Sequence, residues 1–166
     1  MSGSYSEEHS AKRLSEQSAA RKAVRTARRL VVKIGSSSIS HAGGGLDREK
    51  LDTLTTALEQ RMAAGSDVFV VSSGAISAGI TPLELHKRPR DIATKQAAAA
   101  VGQIELAKAW GESFSRYERT AAQVLLTASD LGKRDRARNA QNTLCLLYTS
   151  DAADEEDSHI CRGRRT

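Results

Sequence analysis

Residues 30–38 read LVVKIGSSS, and this stretch decides the fold because a β-branched run leads directly into glycine and serine. The same pattern recurs at residues 67–76, which read DVFVVSSGAI. Short apolar runs bounded by turn residues are typical of strands that are buried on both faces of a parallel sheet. The sequence therefore predicts two inner strands, each ending in a turn of small residues.

Between these strands the sequence predicts a crossover helix. Asp47 is the expected N-cap, and Gly65 stands where a left-handed C-cap is wanted. Apolar residues recur at helical spacing at Leu51, Leu54, Leu58 and Met62. A strand–helix–strand unit makes the two strands parallel and places both turns at the same carboxyl edge of the sheet.

The two predicted turns suit anions. A small-residue turn followed by a helix directs free backbone N–H groups to one spot, where the helix dipole adds partial positive charge. Lys33 adds a cation just before the first turn. In the alternative interpretation its alkyl stem packs and its ammonium reaches solvent at the sheet edge. We favour the anion site, because the lysine precedes a loop that already suits negative charge.

Further elements follow the second strand. The small residues at its end indicate close approach of the backbone, either to a ligand or to the neighbouring strand end: Gly74, Ala75, Ala78 and Gly79. Asp91 or Thr94 begins an alanine-rich helix, which packs either on the sheet or at a subunit interface. Its expected core stripe is Trp110, Phe114 and Tyr117. Residues 120–127 are predicted to form a third buried strand, and another helix begins near Asn139. This alternation predicts an α/β fold.

The charge of the chain has a local origin. The formal net charge is +5 over 166 residues, and much of the excess lies in residues 1–29, which contain few large apolar side chains. Such a segment cannot bury enough surface to fold alone, so we predict a disordered basic leader that is frayed or partly helical. A second basic cluster, residues 86–90, suits phosphate or nucleic acid, but a polar run between Pro82 and Pro89 favours a solvated surface loop. No apolar stretch is long enough to cross a membrane.

Four blocks, in this order, resemble the amino acid kinase family. They are VVKIGSS at 31–37, VSSGAISAG at 71–79, RPRDIATKQAAAAVGQ at 88–103, and QVLLT at 123–127 with Asn139 and Ala140. Together they extend over about residues 28–144, and the second and third blocks are the most specific. The resemblance is to the branch of the family that phosphorylates the side-chain carboxylate of L-glutamate.

The resemblance implies a three-layer sandwich with helices on both faces of a mostly parallel sheet, of which residues 30–144 form the amino-terminal part. It also implies ATP-dependent phosphorylation of L-glutamate, with Mg²⁺ accompanying ATP, as the first step of proline biosynthesis in the cytoplasm. The intact protein would be a homo-oligomer without nucleic-acid or membrane partners.

The resemblance also implies roles for particular residues. The residues matched to the ATP phosphates are Lys33, Gly35 and Ser36. Lys33 is also the expected catalytic residue. Those matched to glutamate are Ser73, Gly74 and Ala75. Lys33 would neutralise charge that develops on the transferring phosphoryl group.

After residue 144 the resemblance ends. Residues 145–166 resemble a translated sequencing adapter, so we expect a non-native, disordered tail and a longer natural protein. The present chain is then expected to be inactive, because the missing part would hold most of the ATP site. No metal site is expected, because the cysteine and histidine spacing in the tail fits no zinc pattern and His41 lies alone in a glycine-rich loop. The alternatives are a family member with another acceptor and a non-catalytic fragment that binds nucleic acid through the leader.

Overall fold

The computed structural model of the chain describes residues 17–149, which divide into two compact units, the first ending at Tyr117 and the second beginning at Glu118. The elements of the first unit are β1 (Arg29–Ile34), a 3₁₀ turn (Ser36–Ser38), α1 (Arg48–Ala63), β2 (Asp67–Ser72), α2 (Ala75–Ile80) and α3 (Ile92–Ser115). Those of the second unit are α4 (Ala128–Gly132) and α5 (Arg134–Thr149). Among the described helices, none combines the length and the apolar character needed to cross a lipid bilayer.

Strands β1 and β2 pair in parallel, as the sequence predicts. The register places Arg29 opposite Asp67 and Ile34 opposite Ser72. One residue further on, the backbone N–H of Ser73 donates to the carbonyl oxygen of Ile34 across 3.0 Å. The turns that follow the two strands therefore leave the same edge of the sheet.

Helix α1 confirms the predicted crossover. Asp47 is its N-cap, and the side chain accepts a hydrogen bond from the backbone N–H of Lys50. Leu51 and Leu58 are buried, and the rest of the predicted stripe packs against the same core. Gly65 adopts a φ of +83° just beyond the helix, a conformation that a residue with a Cβ rarely adopts.

Helix α3 begins as predicted at Asp91, whose carboxylate accepts from the backbone N–H of Thr94 across 2.8 Å. Trp110 and Phe114 are buried with their ring centroids 5.9 Å apart, which confirms the core stripe at these positions. Tyr117 lies past the end of the helix and is half-buried.

Helices α2 and α3 approach each other at backbone contact distance. A Cβ built on Gly102 would overlap the carbonyl oxygen of Ala75 and the backbone nitrogen of Gly79. One built on Gly79 would overlap the carbonyl oxygen of Ala98. At Ala75 and Gly79 the close approach of backbone is therefore to α3, and not to the neighbouring strand end as one of the two predicted alternatives had it. Only glycine leaves room for the two helices.

The prediction that both strands are buried on both faces is wrong for the described residues. Val31 is 68% exposed and Val71 is 54% exposed. Side chains alternate along a strand, and α1 and α3 pack against the same core as Val32 and Val70. Helices therefore cover one face of the two-stranded sheet in the first unit, whereas the α/β class with parallel strands is confirmed.

The predicted third strand is also not observed. Residues 119–127 have no regular secondary structure, and Leu125 is 70% exposed. A strand needs a hydrogen-bonded neighbour, and none of these residues pairs with the described sheet. The helix expected near Asn139 begins earlier, at Arg134, so the charged run forms its exposed first turns, as predicted for a solvated helix face.

Two predicted disordered segments are helical where the structure describes them. In the leader, residues 17–26 form an exposed helix, and the guanidinium of Arg61 donates to the carbonyl oxygen of Arg25 at its end. At the other end of the chain, α5 continues through Cys145 to Thr149, because leucines at this point favour the helix. The predictions for residues 1–16 and 150–166 lie outside the described residues.

Acid is expected to weaken the first unit through the Asp47 cap. The Lys50 ammonium, 2.9 Å away, and the Lys50 backbone N–H lower the pKa of the Asp47 carboxyl below its usual value of 3.8. Because the folded state favours the carboxylate, the ionised cap contributes stability to the folded state. That contribution is fully present well above pH 3.8 and is lost as the pH falls through the lowered pKa of Asp47.

Urea unfolding between about pH 6 and about pH 3 measures this effect. Asp47→Asn keeps a good N-cap but removes the titration, so its unfolding midpoint should fall less on acidification than that of the wild type. Equal pH dependence in both proteins would contradict the assignment.

Candidate functional site

A hollow of about 240 Å³ lies where the two strands end. The turns after β1 and β2 form one side, the loop before α3 contributes a cation, and α3 closes the hollow with Gln103 and Leu106. Other residues that line the hollow are Ser36, Ser73, Gly74, Ala75, Ser77 and Arg88. The hollow is therefore built from both turns that the sequence predicts to bind anions.

Gly74 makes the turn from β2 into α2. Its φ is +125° and its ψ is 0°, a conformation that is strained for any residue with a Cβ. This turn brings Gly74 close to Ser36, whose Cα would lie 3.8 Å from a Cβ built on the glycine. That distance is an ordinary contact, so the positive φ of the turn, rather than the space around it, favours glycine at this position.

Hydrogen bonds fix the walls of the hollow. The indole N–H of Trp110 donates to the hydroxyl of Ser72 across 3.1 Å, which connects α3 to the end of β2. On the opposite side, the backbone N–H of Gly45 donates to the carbonyl oxygen of Ser77 across 2.8 Å. The serine side chain at position 77 is buried and receives a 3.5 Å hydrogen bond from the guanidinium of Arg88.

The structure brings together four of the six predicted site residues. Ser36, Ser73, Gly74 and Ala75 all line the hollow. Lys33 does not line it: this side chain is exposed and lies on the uncovered face of the sheet, on the same side as Val31. Its orientation follows from strand alternation, because Ile34 takes the core-facing position.

Gly35 is the sixth predicted residue. It precedes the 3₁₀ turn in an extended conformation and does not line the hollow. A Cβ built on it would meet nothing within 4 Å, so no neighbouring atom requires glycine at this position.

Sequence reasoning missed the role of Arg88 and of Gln103 in lining the hollow. Both lie in the third of the four blocks. Residues 86–90 form an exposed loop, as the sequence predicts, and from this loop the guanidinium of Arg88 contacts Ser77 in α2. A basic composition does not predict that contact. A signal was present, because the arginine precedes a proline, which restricts its backbone to extended conformations.

The described residues offer no ligand set for Mg²⁺. No carboxylate lines the hollow, and between residues 17 and 149 no three His, Cys, Asp or Glu side chains come together. His41 is exposed and lies 3.4 Å from the Asp47 carboxylate.

A parallel strand–helix–strand unit with a hollow at its carboxyl edge defines an α/β protein of the class whose ligands bind at the strand ends. The sequence profile of the Amino acid kinase family matches residues 28–152, and the chain belongs to this family. This confirms the family resemblance of the four blocks.

Several similar proteins are named glutamate 5-kinase. That of Nocardia farcinica is 63% identical over 135 residues, which is 81% of this chain and 37% of that protein. The Rhodococcus opacus protein is 62% identical over 130 residues, 78% of this chain and 36% of its own length. The Corynebacterium diphtheriae protein is 57% identical over 141 residues, 83% of this chain and 38% of its own length. The chain thus spans somewhat more than a third of the length of these relatives.

Proposed function

We propose that this chain is the amino-terminal part of a glutamate 5-kinase, which transfers phosphate from ATP to the side-chain carboxylate of L-glutamate. The observation that carries the proposal is the hollow formed by Ser36, Ser73 and Gly74 in a chain 63% identical to a protein of that name. The proposal includes the finer expectations from the sequence: Mg²⁺ with the nucleotide, a place in proline biosynthesis, a cytoplasmic location and a homo-oligomeric intact protein.

The size of the hollow favours the amino acid over the nucleotide as its occupant. Its volume of about 240 Å³ is smaller than the roughly 300–1,000 Å³ of sites that bury drug-sized ligands. Glutamate would therefore occupy the hollow, and the nucleotide phosphates would approach from outside the carboxyl edge. The rest of the nucleotide would be bound by residues beyond those described.

The polar groups of the hollow suit a reacting carboxylate. Ser73 offers a hydroxyl, and the first backbone N–H groups of α2, beginning at Ala75, have no acceptor within the helix. In the proposed step a side-chain carboxylate oxygen attacks the γ-phosphorus in line, the bond to the β,γ-bridging oxygen breaks, and ADP leaves. The products are L-glutamyl 5-phosphate and ADP, and positioning supplies most of the catalysis.

Lys33 is the proposed catalytic cation. It is the penultimate residue of β1, and its backbone lies opposite Val71 in the register. An ammonium on a flexible four-carbon stem can change direction at the end of a strand. We propose that phosphates bound at the carboxyl edge draw the ammonium to them, with Gly35 and Ser36 contributing backbone N–H groups.

A hydroxylamine trap tests the proposal. Residues 1–144 of this chain are joined to the remaining residues of the N. farcinica relative; we call this protein the extended kinase. With ATP and Mg²⁺ it should release ADP and form γ-glutamyl hydroxamate only when L-glutamate is present, because an acyl phosphate acylates hydroxylamine.

The acceptor panel separates the outcomes of this assay. L-aspartate and N-acetyl-L-glutamate are offered at the same concentration as L-glutamate. If only L-aspartate or only N-acetyl-L-glutamate is phosphorylated, that compound is the substrate instead of L-glutamate. The chain would then belong with family members that use another acceptor. ADP release without any hydroxamate would contradict transfer to a carboxylate.

A further inference from the structure

Arg88 is the one charged residue among those that line the hollow. Its guanidinium contacts the Ser77 hydroxyl at 3.5 Å, and none of the ion pairs between described residues includes it. A guanidinium carries five N–H donors in a fixed planar arrangement. Most of this donor capacity is left for a ligand in the hollow.

The ligand group that matches a guanidinium is a carboxylate or a phosphate, held by two parallel hydrogen bonds. The substrate proposed above has two carboxylates. A bidentate guanidinium would neutralise the charge of the side-chain carboxylate and lower its nucleophilicity toward phosphorus, although each oxygen would keep a second lone pair. The α-carboxylate does not change during the reaction, so a fixed cation can hold it throughout.

We propose that Arg88 binds the α-carboxylate of the amino-acid substrate and so directs the side-chain carboxylate toward the phosphate donor. This inference rests on the proposed function and deepens it by assigning a specificity-determining residue. Acceptors without an α-carboxylate would then be discriminated against at the hollow itself, before any contact with the nucleotide.

Arg88 is exposed, but its contact partner and its backbone are restricted. Ser77 is only 5% exposed, and its carbonyl oxygen accepts from the Gly45 N–H, so the backbone that carries the contacting hydroxyl is ordered. Pro89 follows directly and restricts the backbone of the arginine. Less conformational freedom is therefore lost when the carboxylate binds. Arg90, on the other side of the proline, is exposed and does not line the hollow, which makes it a matched control.

Amide NMR titrations of the 166-residue chain test the assignment. L-glutamate is compared with 4-aminobutyrate, which has the same amino and side-chain carboxylate groups but no α-carboxylate. The amides of Ser73, Gly74 and Ala75 report binding. Arg88→Gln should raise the Kd for L-glutamate by about 10- to 100-fold, because hydrogen bonds to a charged group are lost.

The controls make every outcome decisive. The weaker response to 4-aminobutyrate should be the same in Arg88→Gln as in the wild type, Arg88→Lys should recover part of the glutamate affinity, and Arg90→Gln should bind like the wild type. Unchanged amides in α1 show that each variant is folded.

Two results would overturn this inference and leave the proposed function standing. One is a glutamate affinity in Arg88→Gln equal to that in Arg90→Gln. The other is an equal loss of affinity for L-glutamate and 4-aminobutyrate in Arg88→Gln. If L-glutamate shifts none of the three reporter amides in the wild type, the glutamate site of the proposed function is itself wrong.

Discussion

Replacing Lys33 with alanine is expected to lower kcat for glutamate phosphorylation by the extended kinase by about 100- to 1,000-fold, the usual effect of removing one group that stabilises transition-state charge. The KM for L-glutamate should change little, because Lys33 does not line the hollow in which the amino acid is proposed to bind. An interaction made only in the transition state affects kcat in this way.

Arg29→Ala provides the matched control. It removes the same charge from the same face of β1, but at the opposite end of the strand, where the guanidinium pairs with Asp67 at 3.2 Å. That exposed pair contributes little to stability, so kcat should stay close to the wild-type value. If both variants lose kcat equally, the effect comes from net charge, and Lys33 has no special role.

Gly102→Ala is expected to destabilise the first unit by about 3 kcal/mol, the upper part of the usual range for added volume in a packed core. The new Cβ would overlap the Ala75 carbonyl oxygen and the Gly79 nitrogen. Both are backbone atoms, so they can move only if α2 moves. Alanine favours a helix over glycine by about 1 kcal/mol, and the steric clash outweighs that gain.

Gly111→Ala is the control in the same helix. A Cβ built on Gly111 meets nothing within 4 Å, so this variant should be more stable than the wild type by up to about 1 kcal/mol. Urea unfolding followed by circular dichroism measures both changes. If Gly102→Ala is as stable as Gly111→Ala, α2 and α3 are not in backbone contact.

Local signals in the sequence were sufficient for the elements of the first unit. The caps at Asp47 and Asp91, the leucine stripe of α1 and the parallel pairing of two β-branched runs all depend on neighbours within a few residues or on chain connectivity. The burial of Val31 depends instead on whether something covers that face. An apolar run does not specify its cover, so the prediction of burial on both faces was wrong.

The site was predictable where backbone conformation decides it. Gly74 lies between a strand and a helix, and its φ of +125° is a backbone conformation that favours glycine. Arg88 enters the hollow only because its loop folds back to Ser77, and the sequence of a solvated loop does not contain that contact. The direction in which the Lys33 side chain points depends on strand alternation and, in our proposal, on bound phosphate.

A crystal structure of the extended kinase with L-glutamate and a non-hydrolysable ATP analogue tests the central claim most directly. We predict the side-chain carboxylate of glutamate at Ser73, its α-carboxylate at Arg88 and the Lys33 ammonium at the nucleotide phosphates. Glutamate bound outside the hollow, or a Lys33 ammonium that still points away from the phosphates on the sheet face, would contradict the account.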